Sequence, residues 1–127
     1  MTTIAPLATA TIGQIGINAK DLNRAVAFYR DILGLKYLFT AGTMAFFDCG
    51  GIRLMLGLPN KPELDHPSSI LYFKVADIQA THDQLAAQAV VFDLKPFRVA
   101  QMPDHVLWMA FFRDSENNVM ALMSEVR

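Results

Sequence analysis

The tetrapeptide Met-Ala-Phe-Phe occurs twice in this 127-residue chain, at 44–47 and at 109–112, and each copy precedes a turn and a further short apolar stretch. Upstream of each copy, an apolar stretch runs into an aspartate that opens an amphipathic segment, Asp21 in the first case and Asp77 in the second. This shared order of elements indicates an internal repeat. We therefore expect two copies of one unit, each with a strand, a helix and three further strands.

The two copies differ in length between the helix and the repeated tetrapeptide. Asp77 follows Asp21 by 56 positions, whereas the second tetrapeptide follows the first by 65, so unit two carries nine additional residues. The additional residues fall in an irregular stretch, 95–105, which contains two prolines. Surface loops lengthen at small thermodynamic cost, so a repeat tolerates this insertion. We interpret residues 95–105 as a flap over a site or as an arm against a partner subunit.

The chain is long enough to build one core without disulfides or a structural metal. We divide it into an N-terminal extension at 1–10 and a single domain at 11–127. Within the domain, unit one covers 11–57 and unit two covers 68–127. Between them lies a linker, 58–67, with three prolines and no periodicity.

Charge and hydropathy exclude several classes of protein. The net charge is −1 and no basic run occurs, which argues against a nucleic-acid partner. No apolar stretch reaches the roughly 18 residues of a membrane span. No Lys or Arg precedes Lys20, so we expect no secretory signal, and the single cysteine, Cys49, fits a reducing cytoplasm. A hydrophobic content of 53% favours a subunit interface or an apolar pocket.

The first strand of each unit alternates between side chains expected to face the helix and side chains expected to face away from it. Ile15, Ile17 and Ala19 should pack under the first helix, which we expect to begin at Asp21 and to end at Gly34. The side chains on the opposite face mix polar and apolar types, which favours a cavity lining. They are Gln14, Gly16 and Asn18 in unit one and Ile70, Tyr72 and Lys74 in unit two.

Two longer sequence segments, 17–35 and 111–122, resemble sequences of the vicinal oxygen chelate superfamily. This superfamily includes glyoxalase I, extradiol dioxygenases, fosfomycin-resistance enzymes and bleomycin-resistance proteins. The second segment is similar to the closing Asp-Pro-(Asp/Glu)-Gly-Asn turn of the family, with Ser115 for the proline and Asn117 for the glycine. The resemblance implies an α+β fold in which two tandem βαβββ units form a half-open, cup-shaped barrel with the helices outside. It also implies a homodimer.

In the enzymes of that superfamily, a divalent metal at the centre of the cup is held by His, Gln and Glu side chains from four strands. The corresponding positions here carry Gln14, Met55, Ile70 and Ala121. Only Gln14 offers an oxygen ligand, whereas a catalytic divalent ion needs about three protein ligands. We therefore expect no metal and no other cofactor.

The remaining candidates are side chains expected near the cup. Arg53 and Met55 are two positions apart in a predicted strand and should face the same side, and the same holds for Lys74 and Tyr72. Both cations therefore point into the cup or lie in water at its rim. His105 and Trp108 stand at the entry to a strand that should border the cup. The sequence names no catalytic residue. The expected ligand-binding set is Gln14, Arg53, Met55, Ile70, Tyr72, Lys74, His105, Trp108 and Ala121.

These observations favour a metal-free small-molecule binding protein resembling the bleomycin-resistance proteins. Two cations and no expected carboxylate in the cup suit a small aromatic or anionic ligand. The alternative is a metal-dependent enzyme of glyoxalase or dioxygenase type with an atypical ligand set, for instance Gln14 with His105 and a residue from a partner chain. A third possibility is a scaffold, if the cup is filled by its own side chains.

Overall fold

The computed structural model describes residues 5–127, so part of the expected N-terminal extension, residues 1–4, lies outside the described residues. Each unit contains four strands and one helical segment. Unit one consists of β1 (Gln14–Asn18), α1 (Leu22–Ala27), β2 (Lys36–Ala41), β3 (Met44–Cys49) and β4 (Ile52–Gly57). Unit two consists of β5 (Tyr72–Lys74), α2 (Ile78–Ala87), β6 (Phe97–Gln101), β7 (Val106–Arg113) and β8 (Val119–Val126).

The strands form two four-stranded sheets with the same topology. The strand order is β1-β4-β3-β2 in sheet one and β5-β8-β7-β6 in sheet two. The first strand of each unit pairs in parallel with the last, and the other pairs are antiparallel. The expected α+β fold with two βαβββ units is confirmed.

Both helices begin where the sequence places them. The side chain of Asp21 accepts a hydrogen bond from the backbone N–H of Arg24, and that of Asp77 accepts one from Ala80. After α1 the chain continues as a π-helical turn, Phe28–Ile32, before Gly34 adopts a φ of +76°. Within the described part of the chain, no helix combines the length and the apolar character needed to cross a membrane.

The core lies on the helix-covered side of both sheets. Ile17 and Ala19 are buried there, as the alternation of β1 predicts. From each Met-Ala-Phe-Phe copy the second phenylalanine enters the same core, Phe47 from unit one and Phe112 from unit two. One continuous cluster of buried apolar side chains therefore serves both units.

The irregular stretch in unit two contains the first of the three strands expected after the helix, at a position where the sequence indicated a loop. Residues 97–101 form β6, which pairs with β7 at the edge of sheet two, so this part of 95–105 is a paired strand and not a free flap or arm. The register of the pair shifts between Arg98 and Ala100. A bulge of this kind interrupts the period-two alternation, which is the signal that would have indicated a strand.

The two units are joined by a buried polar contact. The hydroxyl of Tyr29 donates a hydrogen bond of 2.7 Å to the carboxylate of Asp114, which lies in the β7–β8 turn. Burial, together with this carboxylate, raises the pKa of Tyr29 well above 10, so its hydroxyl stays protonated as a donor. The other oxygen of Asp114 accepts the backbone N–H groups of Glu116 and Asn118.

Glu116 makes a second connection between the units. Its carboxylate accepts the backbone N–H groups of Lys20 and Asp21 and a charge-assisted hydrogen bond of 2.8 Å from Arg24. Burial alone would raise the pKa of Glu116, which is 4% exposed. The hydrogen bonds from Arg24, from the N-terminus of α1 and from Ser115 outweigh burial and lower the pKa to about 2.

In one respect the structure is more open than the resemblance implies. We call the face of each sheet that lies opposite its helix the outer face. Among residues 5–127, no strand pair, side-chain hydrogen bond, ion pair or aromatic contact links the outer face of one sheet to that of the other. Phe39 and Tyr72, which lie on these faces, are 47% and 45% exposed. The units meet through their helix-covered sides, and both outer faces stay open.

Candidate ligand-binding site

The outer face of sheet one carries two aromatic rings and a cation. Phe39 on β2 and Phe46 on β3 are paired in register, and their ring centroids lie 4.7 Å apart. The guanidinium carbon of Arg53 on β4 lies 5.6 Å from the centroid of the Phe46 ring, within the range of a cation–π interaction. Arg53 is therefore held over an aromatic surface with its charge directed along the outer face.

Met55 covers the middle of the same face. A side chain added at Gly16 would begin 3.7 Å from the terminal methyl group of Met55, and one added at Gly57 would begin 3.6 Å from it. The amide nitrogen of Gln14 lies 3.5 Å from the sulfur of Met55. Two of the four positions that correspond to metal ligands thus contact each other through an amide and a thioether.

The outer face of sheet two carries three aromatic rings. Phe111 on β7 makes an edge-on contact with Tyr72 at a centroid distance of 6.0 Å and stacks with Phe97 on β6 at 6.3 Å. Tyr72 and Phe111 are the neighbours of Ala121 in register on its two sides. Ala121 is small enough for the two rings to meet, and it is fully buried. Ala121 therefore shapes this face without being accessible itself.

The two outer faces are equivalent at their aromatic centres. Phe46 lies opposite Met55 in the register of sheet one, and Phe111 lies opposite Ala121 in sheet two. Each is the first phenylalanine of a Met-Ala-Phe-Phe copy. Sequence reasoning missed both residues as site candidates, although strand alternation carries the signal: when the second phenylalanine of a copy enters the core, the first must face outward.

A polar cluster borders the aromatic rings of sheet two. The ammonium of Lys74 lies 2.8 Å from a carboxylate oxygen of Glu125, and this contact lowers the pKa of Glu125. His105 places one ring nitrogen 3.7 Å from Glu125 and the other 2.7 Å from Asp104. Lys74 was expected to be one of two cations in the cup. The structure neutralises it with Glu125, a carboxylate that the sequence interpretation overlooked.

The positive charge of Arg53 is less compensated by nearby carboxylates than that of Lys74. Within residues 5–127 no carboxylate forms an ion pair with it. Asp48 is its partner in the register of β3 and β4, so one negative charge lies on the neighbouring strand. Arg53 is the cation of the expected set that remains available to an anionic ligand.

Trp108 does not lie where the sequence interpretation placed it. Trp108 packs against the core on the helix-covered side of β7, because residues at even positions of this strand point inward. Ile70 lies just before β5, is 41% exposed and borders a cleft beside the linker together with Asn18 and Val119, so its expected place at the cup stays a prediction. The outer faces bring together the remaining members, which are Gln14, Arg53 and Met55 on sheet one and Tyr72, Lys74, His105 and the buried Ala121 on sheet two.

The chemistry at the four metal-ligand positions does not suit a divalent ion. Gln14 is engaged with the sulfur of Met55, Ile70 offers only hydrocarbon, and Ala121 lies beneath two rings. A hard or borderline cation needs several oxygen or imidazole ligands. Nor does any group of three or more His, Cys, Asp or Glu side chains suited to a metal ion occur in the described residues.

The fold and the repeated strand pattern together define a tandem βαβββ protein of the vicinal oxygen chelate type. The sequence model of the Glyoxalase/Bleomycin resistance protein/Dioxygenase superfamily matches residues 11–122, and the chain belongs to that superfamily. It is 29% identical over 123 residues to the uncharacterized protein YraH of Bacillus subtilis (strain 168), a match that covers 86% of this chain and 94% of YraH.

Solved structures support the same fold. The chain is similar to a lactoylglutathione lyase from Agrobacterium tumefaciens, with a TM-score of 0.71, 23% identity and coverage of 92% of this chain and 95% of the other. It is also similar to an integron cassette protein from the mobile metagenome of V. cholerae, with a TM-score of 0.74, 15% identity and 98% coverage of both chains. At these identities the likeness concerns the fold alone.

Proposed function

We propose that this chain is a binding protein for a small planar aromatic molecule that carries an anionic group, held on the outer faces without a metal. The observation that carries the proposal is the matched aromatic surface of the outer faces. The exposed rings of Phe39 and Tyr72 contact the less exposed rings of Phe46 and Phe111, and Arg53 lies over the Phe46 ring. A planar ligand stacked on such rings gains about 0.5–1.5 kcal/mol for each aromatic contact beyond the burial of its surface.

The charge on the ligand follows from Arg53. A guanidinium forms paired hydrogen bonds with a carboxylate or phosphate, and such bonds are stronger than those between neutral groups. The ring of Phe46 restricts the movement of the Arg53 side chain, so less conformational entropy is lost when an anion binds. An aromatic acid combines both requirements.

We also infer that two copies complete the site as a homodimer. In β1 the N–H of Ala19 bonds to Gly57 on β4, so the odd positions face β4 and the backbone groups of Gln14 and Gly16 point to an unpaired edge. By the same rule, Tyr72 and Lys74 face the unpaired edge of β5. Edge strands are templates for pairing. Pairing β1 of one copy with β5 of the other would bring the two outer faces into one concave surface.

A thermal-shift screen of aromatic acids, 2-oxoaldehydes and antibiotics, with and without divalent metals, tests the proposed function. A ligand at about a hundredfold excess over its dissociation constant stabilises the folded protein by roughly 2.7 kcal/mol. We expect aromatic acids to raise the melting temperature equally in the presence of metal and of chelator. A shift that appears only when metal is present would contradict the proposal.

The surroundings of His105 favour a second candidate function, that of an enzyme. His105 lies between Asp104 and Glu125 at the border of the aromatic surface, an arrangement that would suit a proton-transfer group in an enzyme of glyoxalase or dioxygenase type. Turnover of a 2-oxoaldehyde with a thiol, or of a catechol with oxygen, would favour the enzyme if it disappeared in His105→Gln. Absence of turnover in the wild-type protein with each of several metals would favour the binding protein.

A further inference from the structure

The internal repeat creates two equivalent junctions, in each of which the helical segment of one unit approaches a strand-connecting turn of the other unit. Within residues 5–127, side chains fill the space at one junction and leave a cavity at the other. At the filled junction, Tyr29 from the helical segment of unit one reaches Asp114 in the β7–β8 turn, and Glu116 from the same turn reaches Arg24. The second junction lies where the helix of unit two approaches the β3–β4 turn of unit one. The residues at the equivalent positions decide whether it closes in the same way.

Every large or polar side chain of the filled junction has a smaller counterpart at the second one. When the two helices are aligned at their N-caps, Asp21 and Asp77, Leu85 is equivalent to Tyr29. Ala80 is equivalent to Arg24 in the same alignment. When the two Met-Ala-Phe-Phe copies are aligned, Cys49 is equivalent to Asp114. Gly50 and Gly51 then form the turn that is equivalent to the turn containing Glu116. The second junction therefore lacks the side chains that close the first.

A cavity of about 660 Å³ occupies the second junction. One wall comes from the end of the unit-one helical segment and Cys49, and the opposite wall comes from α2 and the helix-covered side of sheet two. Its apolar wall residues include Leu33, Leu35, Phe73, Leu85, Phe112 and Leu122. This volume lies within the range of small-molecule sites, about 300–1,000 Å³.

Apart from Lys74, which is paired with Glu125, the polar groups of this cavity are uncharged. Thr81, Gln84 and Gln88 on α2 offer a hydroxyl and two amides. Burial, with a smaller effect of Asp48, raises the pKa of the Cys49 thiol, which therefore stays neutral. The ammonium of Lys74, whose strand borders the cavity, is paired with Glu125 on the outer face. A ligand here meets hydrocarbon and neutral hydrogen-bonding groups and no unpaired charge.

We propose that the cavity between Cys49 and Leu85 is a second binding site, which takes a neutral, largely apolar molecule with one hydrogen-bonding group. Most of its wall differs from the aromatic acid site, because Phe73, Phe112 and Leu122 point to the helix-covered side of sheet two, whereas Phe111 points to the outer face. The two sites lie on opposite sides of sheet two and meet at its edge strand β5, where Tyr72 and Lys74 border both.

The test uses the fluorophore N-phenyl-1-naphthylamine, which is neutral and carries one N–H group, with the full-length protein. We expect saturable fluorescence enhancement with the wild type. Leu85→Phe, which extends a ring into the cavity, should weaken binding by about tenfold or more, whereas the volume-conserving control Leu85→Met should stay within about threefold of the wild type. Arg30→Ala, on the exposed surface of the unit-one helical segment, should leave binding of the fluorophore unchanged.

The single cysteine supplies a second measurement that needs no variant. Cys49 lines the cavity and is the one cysteine of the chain, so alkylation of the protein by N-ethylmaleimide reports on this position alone. Saturating fluorophore should slow the alkylation several-fold, and this result holds even if Leu85→Phe fails to fold. The proposal is overturned if no saturable binding occurs, if alkylation is unaffected, or if folded Leu85→Phe binds as tightly as the wild type. The last outcome would place the fluorophore outside the cavity.

Discussion

Tyr29 and Asp114 are 85 positions apart in sequence, and a buried hydrogen bond of 2.7 Å joins their side chains across the boundary between the two units. The contact fixes the helical segment of unit one against the last turn of unit two. Asp114 also stabilises the β7–β8 turn, because its carboxylate accepts hydrogen bonds from the backbone N–H groups of Glu116 and Asn118. The relative position of the units thus depends on a polar contact within a mainly apolar core.

Removal of the Tyr29 hydroxyl should destabilise the fold. In Tyr29→Phe the buried carboxylate of Asp114 loses a donor, and a hydrogen bond to a charged group contributes about 1.5–3 kcal/mol. We expect the free energy of unfolding in urea to fall by that amount. Tyr37→Phe is the matched control, because the hydroxyl of Tyr37 bonds to Thr40 at an exposed position. Its cost should stay within about 0.5 kcal/mol, and equal losses in the two variants would contradict the account.

The carboxylate of Glu116 should make stability depend on pH in acid. Its pKa is lowered from 4.5 to about 2 in the folded protein, so folding favours the ionised form. The resulting stabilisation is fully present above pH 4.5 and is lost as the pH falls towards 2, with a total of the order of 2–3 kcal/mol. Glu116→Gln should be less stable than the wild type at pH 6, and the difference should shrink towards pH 2. A difference that is constant over this range would contradict the assignment.

The sequence predicted the fold through signals that are local and repeated. The caps at Asp21 and Asp77, the turn at Gly34 and the alternation of β1 all depend on short-range rules, and the structure agrees with them. The sequence did not locate the first of the three strands expected after α2, because a bulge breaks the alternation of β6. Nor did it predict how the units meet, since that depends on pairs such as Tyr29 and Asp114, which are distant in sequence.

Affinity for an anionic ligand should follow the charges beside Phe46. We expect Arg53→Ala to weaken binding of an aromatic acid by about 1–2 kcal/mol, roughly tenfold, in isothermal titration calorimetry. Asp48→Asn should strengthen binding by about 0.5 kcal/mol, because it removes a like charge from the neighbouring strand. Arg30→Ala is the control for loss of a positive charge, since Arg30 is paired with Asp31 on the helix surface. Unchanged affinity in Arg53→Ala would remove this residue from the site.

The proposed dimer should depend on the free edge of β1. Gly16→Pro removes an N–H group that points to this edge, and a strand tolerates proline there because no bond within the sheet is lost. Gly16→Ala keeps the N–H group, and its added methyl would lie at an ordinary contact distance of 3.7 Å from Met55. In sedimentation equilibrium we expect a dimer for the wild type and Gly16→Ala, and a shift towards monomer for Gly16→Pro. Monomers for all three proteins would defeat the dimer.

The candidate site was only partly predictable from sequence. Parity correctly placed Arg53, Met55 and Tyr72 on the outer faces. The pairing of Lys74 with Glu125 could not be foreseen, because it depends on how β5 and β8 are aligned. The position of Trp108 was predictable, because the Met-Ala-Phe-Phe copy directly after it, whose Phe112 enters the core, sets the alternation of β7 and turns Trp108 inward.

We propose that the outer faces bind ligand without a metal, because Gln14, Met55, Ile70 and Ala121 cannot hold a divalent ion. The most direct measurement is the metal content, by inductively coupled plasma mass spectrometry, of protein purified without chelator and dialysed against metal-free buffer. We predict Zn, Ni, Mn and Fe far below one ion per chain. Near-stoichiometric content of any of them would contradict the account.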